Sequence, residues 1–266
     1  MKILTLATLK GGAGKTMNAF NIAGILAEKK KVLLFDNDPQ CNLSFNCGVN
    51  IADTDILTIK DIYSNVPSDQ PKPEDIIIKA PIERLPLLDI VPSSIFMFEI
   101  EMDLFSKSDR ERILEKYFKK YEKDFEYYDY IIMDTNPSMS ITNMNAFLIS
   151  DEIILSTDVS ANSRTGAELF CHLWDRKRQE LGISGDNISA LIITNLDGRT
   201  NISKDFTEFV KSGALKDVLL KTVINTTTKL KETETMHQPI NLTNPSHNAC
   251  KQYRELVKEM KRRKIV

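Results

Sequence analysis

The stretch Ala7–Phe20, "ATLKGGAGKTMNAF", decides how the rest of the chain is read. It follows a short apolar run and opens a helical pattern, the setting in which a glycine-rich turn binds phosphate. Gly11, Gly12 and Gly14 permit positive φ angles and close approach of the backbone to an anion. The usual phosphate loop is G-x-x-x-x-G-K-[ST]. Counting back from Gly14-Lys15-Thr16, its first glycine belongs at position 9, but Leu9 stands there and a lysine, Lys10, follows. The loop is therefore shortened by one glycine and enriched by one cation.

Working outward, short apolar runs alternate with helical patterns along all 266 residues. Residues 3–7, 32–35, 129–133, 153–156, 190–194 and 218–224 read as strands buried on both faces, as a parallel sheet covered by helices requires. Residues 16–28, 110–125, 143–149, 164–181, 203–211 and 248–263 read as helices. This alternation predicts one doubly wound α/β domain spanning 1–266, with a mostly parallel sheet. Residues 50–105 carry no clear period, and 66–73 and 82–92 read as irregular connections.

Composition excludes several classes. Charged residues make up 27% of the chain and the net charge is −2, so any nucleic-acid binding must come from a local basic patch. Cys41, Cys47, Cys171 and Cys250 form no C-x-x-C pair, which argues against a zinc site and for free thiols in a reducing cytosol. No apolar run reaches the ~18 residues of a membrane span. Nor does the N-terminus resemble a signal peptide. A cytoplasmic protein is expected.

Two further motifs stand at strand ends. "LLFDNDPQCNLS" places Asp36 and Asp38 after the second strand, and "YDYIIMDTNPS" places Asp134 after another. Carboxylates at the C-terminal ends of parallel strands lie in the crevice where such sheets bind ligands. With Lys15 reaching the β- and γ-phosphates and Thr16 on Mg²⁺, they make the set expected of a nucleoside triphosphatase.

Together "KGGAGKT", "DNDPQCNLS", "YDYIIMDTNPS", "NAFLISDEIILS" and "NLDGRTNIS", in that order over nearly the whole chain, resemble the ParA/Soj family of partition ATPases, relatives of MinD. The resemblance implies a P-loop NTPase fold and a deviant Walker A loop, in which Lys10 crosses to the partner subunit's nucleotide and ATP is sandwiched in a homodimer. It implies that Lys10, Gly11, Gly12, Ala13, Gly14, Lys15, Thr16 and Met17 contact ATP or ADP. Thr16, Asp36 and Asp134 would support Mg²⁺, and Asp38 would position the attacking water. Lys10 is expected to have no acidic partner until nucleotide binds. Two departures stand out: Met17 replaces the usual second Thr or Ser, which predicts somewhat weaker nucleotide affinity, and Asn136 replaces a proline.

The resemblance also implies nonspecific DNA binding by the ATP dimer, through Arg199, Lys229 and Lys231, and stimulation by a ParB-type centromere-binding protein. The basic tail "KEMKRRKIV" could add to the positive field. No helix-turn-helix precedes the loop, so operator recognition is not expected; nucleoid association in the ATP-bound form is. Two other readings stay open. A MinD-like positioning ATPase would use the stripe Tyr253, Leu256, Val257 and Met260 on a membrane. A regulatory nucleotide switch with little hydrolysis would account for Met17.

Overall fold

The structure is a computed structural model that describes residues 1–53, 55–64, 66–196 and 215–266. Among the described residues seven strands form one sheet: β1 (Lys2–Ala7), β2 (Val32–Asn37), β3 (Leu88–Val91), β4 (Tyr130–Thr135), β5 (Glu152–Thr157), β6 (Ile188–Leu196) and β7 (Leu219–Asn225). Their order is β3-β2-β4-β1-β5-β6-β7, and every strand pair is parallel. The fold is the doubly wound parallel α/β sheet of P-loop NTPases.

Side-chain alternation explains the layering. In β1, Leu4 and Leu6 face one layer and Ile3 faces the other. The first layer is covered by the helices Lys15–Leu26 and Asn248–Arg262, and the second by Ile113–Lys120 and Ile141–Ile149 among others. Helix Ala161–Glu180 closes a third cluster over β5 and β6, around Phe147, Phe170 and Trp174.

Strand order reverses at β1, whose neighbours β4 and β5 come much later in the chain. That is the topological switch point where open α/β sheets bind ligands. The register does the rest: Leu6 lies opposite Asp134, and Asp134 opposite Asp36. Both carboxylates are thereby brought side by side next to the loop that leaves β1.

Several expectations need correcting. Residues 82–92 are not simply irregular, because they contain β3, an edge strand on β2. Residues 50–105 also hold helices Ile59–Ser64, Pro73–Ile76 and Met97–Leu104. The helix expected over 110–125 is interrupted, as a 3₁₀ turn Arg110–Arg112 followed by Ile113–Lys120 and Glu122–Phe125. Lys229 and Lys231 sit on a helix, Thr228–Thr235, that is not among the helices expected from the sequence. The helix expected over 203–211 lies outside the described residues.

Candidate functional site

Gly12 and Gly14 both adopt left-handed backbone angles, with φ of 78° and 76°. A Cβ on Gly14 would also stand 3.1 Å from Thr194 Oγ1, so the turn needs glycine there for two reasons. Gly14 caps helix Lys15–Leu26 without a side-chain hydrogen bond, and the first helical turn carries no acid. The free N–H groups and the helix dipole are thus left for an anion. The loop is buttressed from β6: Thr194 Oγ1 lies 2.8 Å from the Ala13 carbonyl, and Asn195 Nδ2 donates to the Gly12 carbonyl at 3.3 Å. Sequence reasoning missed this support.

A cleft of about 580 Å³ opens on the loop, within the range of roughly 300–1,000 Å³ typical of small-molecule sites. Gly11, Gly12, Ala13, Gly14, Lys15, Thr16 and Met17 all line it, as does Asp38. Pro137 forms one rim, and Thr226, Lys231 and Glu234 form another.

Each carboxylate has a distinct environment. The Thr16 hydroxyl donates to Asp134 Oδ2 at 2.5 Å, while Asp134 Oδ1 is buried with no hydrogen-bond partner. Asp36 points inward: its Oδ2 accepts from the N–H and hydroxyl of Ser44 at 2.8 and 2.7 Å, and its Oδ1 from the Asp38 N–H at 3.3 Å. Asp38 Oδ1 in turn accepts the Gln40 N–H at 2.9 Å, which fixes the Asp38 side chain at the cleft wall. Burial, then the neighbouring Asp134 charge, pushes Asp36 up to about 8. Burial also raises Asp134, to about 7, against the opposing pull of Lys15 and the Thr16 hydrogen bond. Two buried carboxylates held above their ordinary range fit a site completed by positive charge. The orphaned Asp134 Oδ1 beside the Thr16 hydroxyl suits Mg²⁺, which takes few protein ligands and otherwise water and phosphate oxygens. Among the described residues no cluster of three His, Cys, Asp or Glu side chains could hold a metal by itself.

Lys10 overturns one expectation. It has an acidic partner within its own chain: its Nζ lies 2.7 Å from Asp158 Oδ2 and 2.6 Å from Ser160 Oγ. The cause is the β1–β5 pairing, which brings the residues after β5 next to the loop after β1. Lys15 instead is only 7% exposed and lies along the cleft.

Met17 is partly buried against the core; its sulfur accepts from Asn21 Nδ2 at 2.9 Å and lies 3.6 Å from Thr233 Oγ1, whose hydrogen goes to the Leu230 carbonyl. The thioether therefore packs the loop helix against helix Thr228–Thr235. Asn136 is accommodated by Asn143, whose Nδ2 reaches Asn136 Oδ1 at 2.8 Å and the Ser138 carbonyl at 2.9 Å. Of the basic residues, Lys229 forms an ion pair with Glu232 at 2.8 Å, Lys231 is exposed at the cleft rim, and Arg199 lies outside the described residues.

The fold and this site define a P-loop nucleotidase whose loop carries a second lysine. Comparison with known proteins narrows the class. A family model described as an AAA domain matches residues 1–189. The sporulation initiation inhibitor protein Soj of Bacillus subtilis is 29% identical over 97% of this chain and 98% of its own length. A virulence plasmid ParA family protein, pGP5-D of Chlamydia psittaci, is 34% identical over 69% of this chain and 68% of that protein. Among solved structures, a Cyanothece McdA variant in complex with ATP superposes with a TM-score of 0.82 at 21% identity, over 98% of this chain and 96% of that one. The chain belongs to the AAA domain family, within its ParA/Soj group of partition ATPases.

Proposed function

We propose that this chain is a DNA-segregation ATPase that dimerises around ATP, binds DNA nonspecifically as a dimer, and is stimulated by a ParB-type partner. The observation that carries the reading is the two-lysine loop at the switch point, with Thr16 on Asp134 and Asp38 on the cleft wall. In this reading the N–H groups of residues 11–16 and Lys15 hold the β- and γ-phosphates. Lys10 leaves Asp158 and reaches the nucleotide of the other protomer, where a second cation stabilises charge developing during transfer. Asp38 orients a water for in-line attack on the γ-phosphorus. The new P–O bond forms as the bond to the bridging oxygen breaks, giving ADP, phosphate and one proton. Thr16, Asp134 and, through its hold on Asp38 and Ser44, Asp36 would hold Mg²⁺, which when bound neutralises charge on the phosphate oxygens. Turnover is slow, as befits a timer, and the ATP dimer sits on the nucleoid within the cytoplasm.

The membrane-positioning alternative loses its main support. Tyr253, Leu256, Val257 and Met260 are each at most 3% exposed and face the core. Among the described residues no helix is long and apolar enough to cross a membrane.

The test combines sedimentation velocity with phosphate release for wild type, Asp38→Ala and Lys10→Ala. Asp38→Ala should dimerise with ATP and not hydrolyse it, and Lys10→Ala should bind ATP as a monomer. An Asp38→Ala variant with wild-type turnover sinks the catalytic assignment, and a Lys10→Ala dimer sinks the sandwich.

A further inference from the structure

Beyond β3 the chain reads Ile95-Phe96-Met97-Phe98-Glu99-Ile100-Glu101-Met102-Asp103-Leu104-Phe105. Helix Met97–Leu104 buries Met97, Ile100 and Leu104 in the core, yet its opposite side is also apolar. Ile95, Phe98, Met102 and Phe105 are 63%, 54%, 76% and 66% exposed, and their spacing puts them in one stripe. Single exposed apolar residues are ordinary, whereas a contiguous stripe of large ones marks an interaction surface.

The charges around the stripe choose its occupant. The segment carries Glu99, Glu101 and Asp103 and no Lys or Arg. Glu101 is occupied, accepting from Ile141 N, Thr142 N and Thr142 Oγ1, while Glu99 and Asp103 flank the stripe exposed. Of the nearby cations, Lys60 pairs with Asp61 and Lys107 reaches the Tyr63 carbonyl. Arg110 pairs with Glu111 and lies over the Phe105 ring at the end of the stripe, so Glu99 and Asp103 flank the Phe98–Met102 part of it. A second copy docking by two-fold symmetry would set these carboxylates against each other. An anionic lipid surface would be repelled.

We propose that helix Met97–Leu104 is a docking surface for a cationic amphipathic helix of another protein. Its apolar side would lie on Phe98 and Met102, and its basic side chains would pair with Glu99 and Asp103. The surface is linked to the elements that follow both carboxylate strands. At its N-terminal side, Ser93 N donates to Ser44 Oγ at 2.9 Å, and Ser44 holds Asp36. At its other end, Glu101 caps helix Ile141–Ile149, which follows the turn carrying the cleft residue Pro137. Docking would therefore bear on the nucleotide cleft from two sides, a consequence that rests on the ATPase reading above.

The probe is a fluorescein-labelled Leu/Lys amphipathic helix of about five turns, about 18 residues, with a Leu/Glu peptide of the same pattern as its counterpart. Anisotropy should show the Leu/Lys peptide binding wild type without nucleotide, and about tenfold or more weaker binding to Phe98→Ser/Met102→Ser. Glu99→Lys/Asp103→Lys should lose the Leu/Lys peptide and gain the Leu/Glu one. Failure of the Leu/Lys peptide to bind, or binding that survives both variants, overturns the proposal. So does a Phe98→Ser/Met102→Ser variant that loses only self-association in sedimentation, or only binding to phosphatidylglycerol vesicles. With ATP, the Leu/Lys peptide should raise phosphate release by wild type and not by Phe98→Ser/Met102→Ser. Peptide binding by a chain that never hydrolyses ATP would leave the docking surface standing and sink the ATPase reading instead.

Discussion

Lys10 cannot serve a second protomer while Asp158 and Ser160 hold it at 2.7 and 2.6 Å. Both side chains are partly exposed, at 34% and 21%, so the ion pair is worth at most about 1 kcal/mol, or roughly a fivefold factor in an equilibrium. Asp158→Asn removes the charge and retains a hydrogen-bonding shape. It should tighten the ATP-dependent dimer by about two- to fivefold, read by sedimentation velocity at fixed ATP. A weaker dimer would instead assign Asp158 a role across the interface. Asp134 allows a second single-residue test. An unfolded Asp titrates near 3.8 and Asp134 in the fold near 7, so between these values the folded chain binds the extra proton. Its stability without metal or nucleotide must then fall as pH rises through that window. Asp134→Asn abolishes the penalty while its amide oxygen still accepts from Thr16. Scanning calorimetry should show a Tm gain that is small near pH 5 and larger near pH 8, with each kcal/mol worth about 2–4 °C at this length. A gain independent of pH would assign the effect to packing.

Elements differ in how plainly their residues announce them. β1, β2, β4 and β5 are legible as apolar runs, and the loop helix follows from its glycines. β3 is not, because it has four residues, stands between Pro86 and Pro92, and contains Asp89. That carboxylate is tolerated because Lys79 Nζ lies 2.9 Å away and the Tyr128 hydroxyl donates at 2.6 Å, partners distant in sequence. Helix Met97–Leu104 is apolar on two sides and so shows no clean period. Thr228–Thr235 is polar apart from Leu230, with only Leu230 and Thr233 buried. The same contrast holds at the site. Lys10, Lys15, Thr16, Asp36, Asp38 and Asp134 lie in local motifs, whereas Asn143, Asp158 and Thr194 lie outside them and act only through space. The C-terminal helix gives an element-scale test. Its Glu259, 4% exposed, accepts from Lys221 N, Thr222 N and Thr222 Oγ1 at 2.7, 2.8 and 2.7 Å, fastening the helix to β7. Glu259→Ala strands three donors and should cost about 2 kcal/mol in urea unfolding. A cost below about 0.5 kcal/mol would mean that the apolar stripe of Tyr253, Leu256, Val257 and Met260 holds the helix alone.

At the scale of the whole molecule, a net charge of −2 leaves no global attraction to DNA, so the nonspecific binding proposed above would have to be assembled from a few cations doubled by the proposed dimerisation. Lys229 donates to both carboxylate oxygens of Glu232, an exposed pair that phosphate can outcompete, and Lys231 projects from the same helix at the cleft rim. Two protomers would present about four such lysines, each phosphate contact contributing about 0.9 to the salt slope of log K. In ATP and Mg²⁺, the chain should shift random-sequence duplex DNA at low salt. Lys229→Ala/Lys231→Ala should lower the magnitude of that slope by up to about 3–4. Because Lys231 also lines the cleft, ATP affinity is measured on the same variant, so that a lost dimer is not mistaken for a lost DNA contact. If ATP binding and dimerisation persist and the slope is unchanged, these lysines do not meet the DNA, and the positive field comes from elsewhere on the dimer.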